Sequence, residues 1–356
     1  MPPRLIALSA LFRQSAAALC ASGCLLLSVS AADAADPADP DLAPRARAVL
    51  RWFQELQAGP ELRLVSGQFA GWSGGASLGE LGKIHAATGR WPVMIGLDYC
   101  GWNQGEAMID VRQPNQLAQE YWRAGGLVNL SWHAPNPANP RGGGLRDKGV
   151  NLRDLLTPGH PTHVRWMKML DQVAAGLLEL QVQGVVVIWR PLHEMNGAWF
   201  WWGAKEPADF IAVWRHMFDH FTHTKGLHNL IWAYSPNHGQ QPADLYYPGD
   251  AYADLVGLDA YTDHITPDKI IGFDRYAGIR KPVGLTEFGP HGASHPPGDY
   301  DYRRLLDGVE KNFPQLRHFL CWNDKWNPAS NRHAKEFYND PRVLTRDQVP
   351  AGLTGL

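Results

Sequence analysis

Cysteine, clustered positive charge and long apolar spans are what this 356-residue chain has least of. Of its four cysteines, Cys20 and Cys24 lie in the amino-terminal apolar run, which leaves Cys100 and Cys321 in the body of the chain. No CxxC and no paired His/Cys spacing suggests a structural zinc site. Two buried free thiols are the expectation for Cys100 and Cys321, with a disulfide open in an exported protein. Lys and Arg number 33 against 35 Asp and Glu, a formal net charge of −2, and no basic run appears. That balance excludes a polyanion partner, since nucleic-acid binding needs a basic footprint. There is no internal repeat, no low-complexity tract and no glycine-rich dinucleotide fingerprint near the start.

The one sustained apolar run, Ala16 to Val29, follows Arg4 and Arg13 and precedes Ala32-Asp33-Ala34. It is short for a membrane span, and the small-x-small site marks it as an export signal over residues 1–34. Secretion or periplasmic delivery is therefore expected, with residues 35–44 a flexible Asp/Pro/Ala leader and 45–356 one catalytic domain. A lipid anchor at Cys24 is the alternative, although the usual preceding leucine is missing.

What the chain does have is tryptophan, 15 residues against 11 Tyr and 12 Phe. Several stand where strands should end, a distribution that favours flat apolar platforms over core filling. Eight β-type apolar runs recur: Leu62 to Phe69, Pro92 to Asp98, Gly126 to His133, Val185 to His193, Leu230 to Ser235, Leu255 to Asp259, Pro282 to Glu287 and His318 to Asn323. Helical patterns fall between them. An opening helix is expected near Ala46 to Gln57, and Phe210, Trp214, Met217, Phe218 and Phe221 share one helical face. Strand and helix alternating eight times predict a (β/α)8 TIM barrel in one α/β domain, a fold of about 250 residues. The Pro/Gly/Asn-rich interval His133 to Thr162 reads as a long functional loop.

Polar residues gather where these strands end: Asp98 with Tyr99, Trp132 with His133, then Arg190, His193 and Glu194, Asp259 with Tyr261, Glu287, and Trp322 with Asn323. In a barrel the carboxyl ends of the strands form the active face. Glu194 closes the fourth strand and Glu287 the seventh, so the two should face each other across the mouth. Paired carboxylates of this kind cleave glycosidic bonds, one giving a proton to the leaving oxygen and the other attacking the anomeric carbon. His193-Glu194 is no zinc-protease motif, because Gly197 stands where the second histidine belongs. His220, His223 and His228 read as surface histidines. The run Trp199 to Trp202 reads as a binding wall, with a buried plug as the alternative.

The stretch Trp189 to Gly203, WRPLHEMNGAWFWWG, resembles the acid/base region of glycoside hydrolase family 26, whose best-known members are endo-β-1,4-mannanases. Supporting matches are SWHAPNP after the third strand, GLDAY at the sixth, LTEFG at the seventh, CWND at the eighth and the tail FYNDPRVLTRDQ. The resemblance covers most of the chain after the signal. It implies a retaining enzyme of the wider (β/α)8 clan, with Glu194 as acid/base and Glu287 as nucleophile. It places His193 beside the acid, has Arg190 hold the nucleophile ionised, and gives Tyr261 a hydrogen bond to the nucleophile region. His133, Trp199, Asp259 and Trp322 would shape the subsite of the attacked sugar. The chain departs from the family at the end of the first strand, where Ser66-Gly67-Gln68-Phe69 replaces a His-containing motif.

These readings converge on endo-cleavage of β-1,4-mannan, galactomannan or glucomannan by double displacement, without cofactor, metal or protein partner, by a monomer. The alternatives are the other family activities, a β-1,3-1,4-glucanase or a β-1,3-xylanase, and a sugar-binding barrel that does no chemistry.

Overall fold

The computed structural model describes residues 35 to 100, 109 to 141, 143 to 290, 296 and 298 to 355. The signal reading of residues 1–34 lies outside them. Helix α1 (Pro44–Ala58) opens the fold, with Pro44 at its first turn, where a missing N–H costs nothing. Strand β1 (Leu64–Trp72), helix α2 (Gly79–Thr88), β2 (Met94–Asp98), α3 (Arg112–Arg123), β3 (Leu127–Trp132), α4 (Pro161–Val182), β4 (Val187–Pro191) and α5 (Pro207–Asp219) follow in strict alternation. Then come β5 (Leu230–Tyr234), β6 (Leu255–Tyr261), β7 (Val283–Gly289), α6 (Arg303–Asn312), β8 (Leu316–Cys321), α7 (Ala334–Tyr338) and a two-residue β9 (Val343–Leu344).

All pairings among β1 to β8 are parallel, and β8 bonds to β1, as in Val65 with His318, so the sheet closes on itself. The eight expected strands are the eight barrel strands. β9 pairs with β1 at Leu64 and Val65 and was not foreseen, since two residues carry no periodicity. The helical ring is incomplete. After β5 and after β6 the chain makes only 3-10 turns, Asp250–Tyr252 and Phe273–Tyr276. Pro236, Pro242, Pro248 and Gly249 in the first connection, and Pro267 and Gly272 in the second, break any longer helix.

Inside the barrel Gly67, Gly96, Gly257 and Gly284 leave space that Leu320, Thr286 and the His318 ring fill. Helix α1 packs against β5 and β8, and Phe53 meets the His318 ring edge-on at 5.7 Å. Most of the tryptophan goes into packing, contrary to the platform reading: Trp122, Trp132, Trp166, Trp189, Trp201, Trp202, Trp214 and Trp232 are all fully buried. Large rings fill the layer between strands and helices, as in the stack of Trp132 on Trp166 at 5.7 Å.

Residues 35 to 44 are docked, which corrects the flexible-leader reading. The Ala38 N–H donates to Asp254 Oδ1 at 2.7 Å, Asp39 bonds His228 Nδ1 at 2.8 Å, and Lys281 donates to the Asp36 carbonyl at 3.0 Å. Ala38 and Leu42 are buried, so the segment has both apolar and polar reasons to stay. His220 is likewise buried against Asp171, while His223 remains exposed. Cys100 and Cys321 are both buried and no disulfide joins them. Among the described residues no helix is long and apolar enough to cross a membrane.

Candidate active site

Strand β4 ends at Pro191, which has no N–H to continue the ladder, and the chain turns sharply there. Leu192 and Glu194 take left-handed backbones, φ 45° and 56°, at a cost of about 1 to 2 kcal/mol each for a residue with a Cβ. The surroundings hold the turn in place. The Glu194 N–H donates to the Ser235 carbonyl at 2.7 Å, the Trp202 indole to the His193 carbonyl at 2.8 Å, and the Ala204 N–H to the Met195 carbonyl at 2.8 Å. Gly203 lies so close to Gly197 that a Cβ on it would sit 2.1 Å from the Gly197 carbonyl oxygen. Strain at Glu194 is thus overdetermined by the buried tryptophans behind it.

Glu194 is 7% exposed and accepts a hydrogen bond on each oxygen, from Asn237 Nδ2 at 2.8 Å and Trp199 Nε1 at 2.7 Å. Burial, and after it the negative charges of Asp259 and Glu287, push its carboxyl well above the usual range, more strongly than the two donors pull it down. A carboxyl so placed holds its proton to higher pH than a free one, as a general acid must.

Glu287 stands on β7 opposite Asp259 of β6, where the register slips between Leu258 and Asp259 and again on the β8 side between Leu285 and Phe288. These irregularities aim the carboxylate into the mouth. Arg190 lies between the two acids as a fork: Nη1 donates to Asp259 Oδ2 at 2.7 Å and Nη2 to Glu287 Oε2 at 2.6 Å. The other Glu287 oxygen accepts from the Tyr261 hydroxyl at 2.5 Å. Ser235 and Thr286 complete the base of the fork on Asp259 Oδ1.

His193, 1% exposed, meets His133 edge-on at 4.4 Å. Burial, then the charge of Arg190 and that of His133, lower its pKa well below the ordinary value, so it is a neutral ring. His133 Nδ1 bonds Asp98 Oδ2 at 2.7 Å, and Asp98 also accepts from the Ser131 hydroxyl and the Cys100 N–H. One ligand atom each of His193, Asp259 and Glu287 falls within 4.8 Å of the others, a metal-like spacing. The Arg190 guanidinium already bonds both of those carboxylates, so a second cation there would meet its charge at close range.

One wall of the mouth is aromatic. Phe69 and Trp322 stack at 3.8 Å with 6° between planes, Trp72 tilts against both, and Trp326 meets Tyr261 edge-on at 5.2 Å. Stacked rings offer a flat apolar face, the complement of a pyranose. Phe69 and Trp72 stand at the first strand, where the motif departs from the family pattern.

The structure brings every expected site residue to the carboxyl end of the barrel but sorts their tasks. Arg190 and Asp259 are 0% exposed and offer no surface to a sugar, which corrects the expectation that Asp259 shapes the subsite directly; both act through Glu287. Trp199 alone of its run stands at the acid, whereas Phe200, Trp201 and Trp202 form the plug behind it. Asn237, Ser235 and Thr286 were missed. Asn237 and Ser235 follow a strand end as the chosen residues do, so the same rule applied after β5 would have found them.

The family model for glycosyl hydrolase family 26 matches residues 38–348. The mannan endo-1,4-beta-mannosidase of Bacillus subtilis is 35% identical over 328 residues, 88% of this chain and 89% of that protein. The mannan endo-1,4-beta-mannosidase A and B of Caldalkalibacillus mannanilyticus is also 35% identical; the match takes 91% of this chain but spans only 65% of that protein's length. A solved Bacillus subtilis mannanase superposes with a TM-score of 0.82 at 34% identity, covering 90% of this chain and 97% of that one.

Proposed function

The chain belongs to glycosyl hydrolase family 26, and from that membership we propose that it is a retaining endo-β-1,4-mannanase. The observation that carries the reading is the pairing of a buried, proton-retaining Glu194 with a Glu287 that accepts from Arg190 on one oxygen and Tyr261 on the other. A charged donor on one oxygen and a hydroxyl donor on the other fix the position and orientation of the attacking carboxylate. The mannanase relatives support mannan as the substrate class.

In the first step Glu287 attacks the anomeric carbon as the glycosidic bond breaks, and Glu194 gives its proton to the departing oxygen. The product is a glycosyl ester on Glu287. Esterification removes the Glu287 charge, one of the two that hold the proton on Glu194, so Glu194 can remain a carboxylate. It then takes a proton from water, the water oxygen attacks the same carbon, and Glu287 leaves with the β-configuration restored. Retention needs carboxyl groups about 5 to 5.5 Å apart.

Export through cleavage after Ala34 agrees with this activity, because the polysaccharide cannot enter a cell intact. We take the protein to act as a secreted or periplasmic monomer. Purified protein supplied with mannan, galactomannan, lichenan and β-1,3-xylan tests the function. Preferred cleavage of mannans to short oligosaccharides, with the β-anomer formed first by NMR, is expected. A higher kcat/KM on lichenan would replace it with the glucanase reading.

A further inference from the structure

Ser235 follows the last residue of β5, is 1% exposed and touches both halves of the active site. Its carbonyl accepts the Glu194 N–H at 2.7 Å, within the left-handed turn that presents the acid. Its hydroxyl lies 2.6 Å from Asp259 Oδ1, 2.7 Å from Thr286 Oγ1 and 3.2 Å from Arg190 Nη1. A serine hydroxyl has one proton and two lone pairs. The arginine can only donate, so Ser235 accepts from it. Thr286 gives its own single proton to the same Asp259 oxygen at 2.9 Å, so its Oγ1 is an acceptor toward Ser235, and the one Ser235 proton lies between Asp259 Oδ1 and Thr286 Oγ1.

We propose that Ser235 is a positioning residue for the reaction, its main chain anchoring the acid loop and its hydroxyl anchoring the Asp259 and Arg190 fork beneath the nucleophile. One buried residue thereby sets the two carboxylates relative to each other. The proposal rests on the reading of Glu194 and Glu287 as acid and nucleophile.

Asp259 is faced by Arg190 from β4, His193 and Glu194 from the turn after it, Glu287 from β7, Tyr276 from the connection after β6 and Tyr261 on its own strand. Burial, opposed by Arg190, and then the Glu287 charge, opposed by Ser235 and Thr286, raise the Asp259 carboxyl to about 7. Removing the serine hydroxyl takes away one stabiliser of the charged form. Asp259 then takes up a proton at higher pH and loosens its hold on Arg190.

The test compares S235A with S235T, which keeps a hydroxyl, on mannan and on an activated aryl β-glycoside. For S235A we expect kcat to fall by about tenfold, the loss of one hydrogen bond between a charged pair and its anchor. KM should change little, and the acid limb of the kcat/KM profile should move to higher pH. S235T should recover most of the rate and the wild-type limb. Thermal unfolding of each variant separates folding from function. A lower Tm in S235A with kcat and acid limb unchanged would reduce Ser235 to a core residue and overturn the proposal. So would equal losses in S235A and S235T, which would point to packing. A wild-type protein inactive on every β-glycan would instead overturn the reading of the site, and this inference with it.

Discussion

Replacing Glu194 by alanine separates the two carboxylates most cleanly. The substitution deletes a proton donor and leaves Asn237 Nδ2 and Trp199 Nε1 beside a space that water can fill, so both keep a partner. Glu287 keeps Arg190 and Tyr261. Attack on the anomeric carbon therefore survives, and what changes is the fate of the leaving group. A sugar alkoxide is a poor leaving group without a proton, and general acid catalysis contributes roughly 10² to 10⁴ in rate. Mannan hydrolysis should fall by that factor. A dinitrophenyl mannobioside, whose phenolate departs without help, should still form the glycosyl ester in a fast burst. Deglycosylation then limits turnover, because no base remains to activate water. Azide needs no base, and adding it should restore the rate and yield the β-mannosyl azide, with product identity read by NMR. Equal losses on polysaccharide and aryl glycoside would refute the acid role. A β-azide from Glu287→Ala in place of an α-azide would exchange the two assignments.

Three further outcomes follow from the same geometry. Arg190→Lys keeps a charge but cannot bridge Asp259 and Glu287 with one planar fork, so kcat should fall by about 100-fold or more with the fold retained by circular dichroism; a loss under threefold would contradict the role of the fork. His318, fully buried, has its pKa lowered by desolvation from 6.5 to about 4, so the unfolded chain binds the extra proton between those values. Its contribution is intact above pH 6.5 and declines by up to about 3 kcal/mol as pH falls towards 4, and His318→Leu should flatten that part of a urea-denaturation pH series. Gly203→Ala drives a Cβ into the Gly197 carbonyl, so it should displace the acid turn and cut activity on aryl and polysaccharide substrates together, lowering Tm as well; wild-type kinetics would show that the turn can yield.

The strands and their chemistry were readable from the chain because both are local. A run such as Val185 to Ile188 ending in Arg190 to Glu194 is set by apolar side chains that need cover on both faces and by a proline that stops the ladder. Alternation of eight such runs with helical patterns leaves few architectures, and the carboxyl ends then name the site. What the sequence could not contain is which neighbour at a strand end points where. Trp189 and Arg190, or Trp132 and His133, are adjacent letters, yet the pleat sends the first of each pair into the helical layer and the second toward the site. Tryptophan looked like binding surface for the same reason: count and position along the chain do not reveal the side of the sheet. The docking of residues 35 to 44 depends on Asp254, over 200 positions away, and the task of Ser235 on partners from three other strands. Such roles are fixed by closure of the barrel, which brings distant residues within hydrogen-bond reach and excludes the water that would otherwise satisfy them.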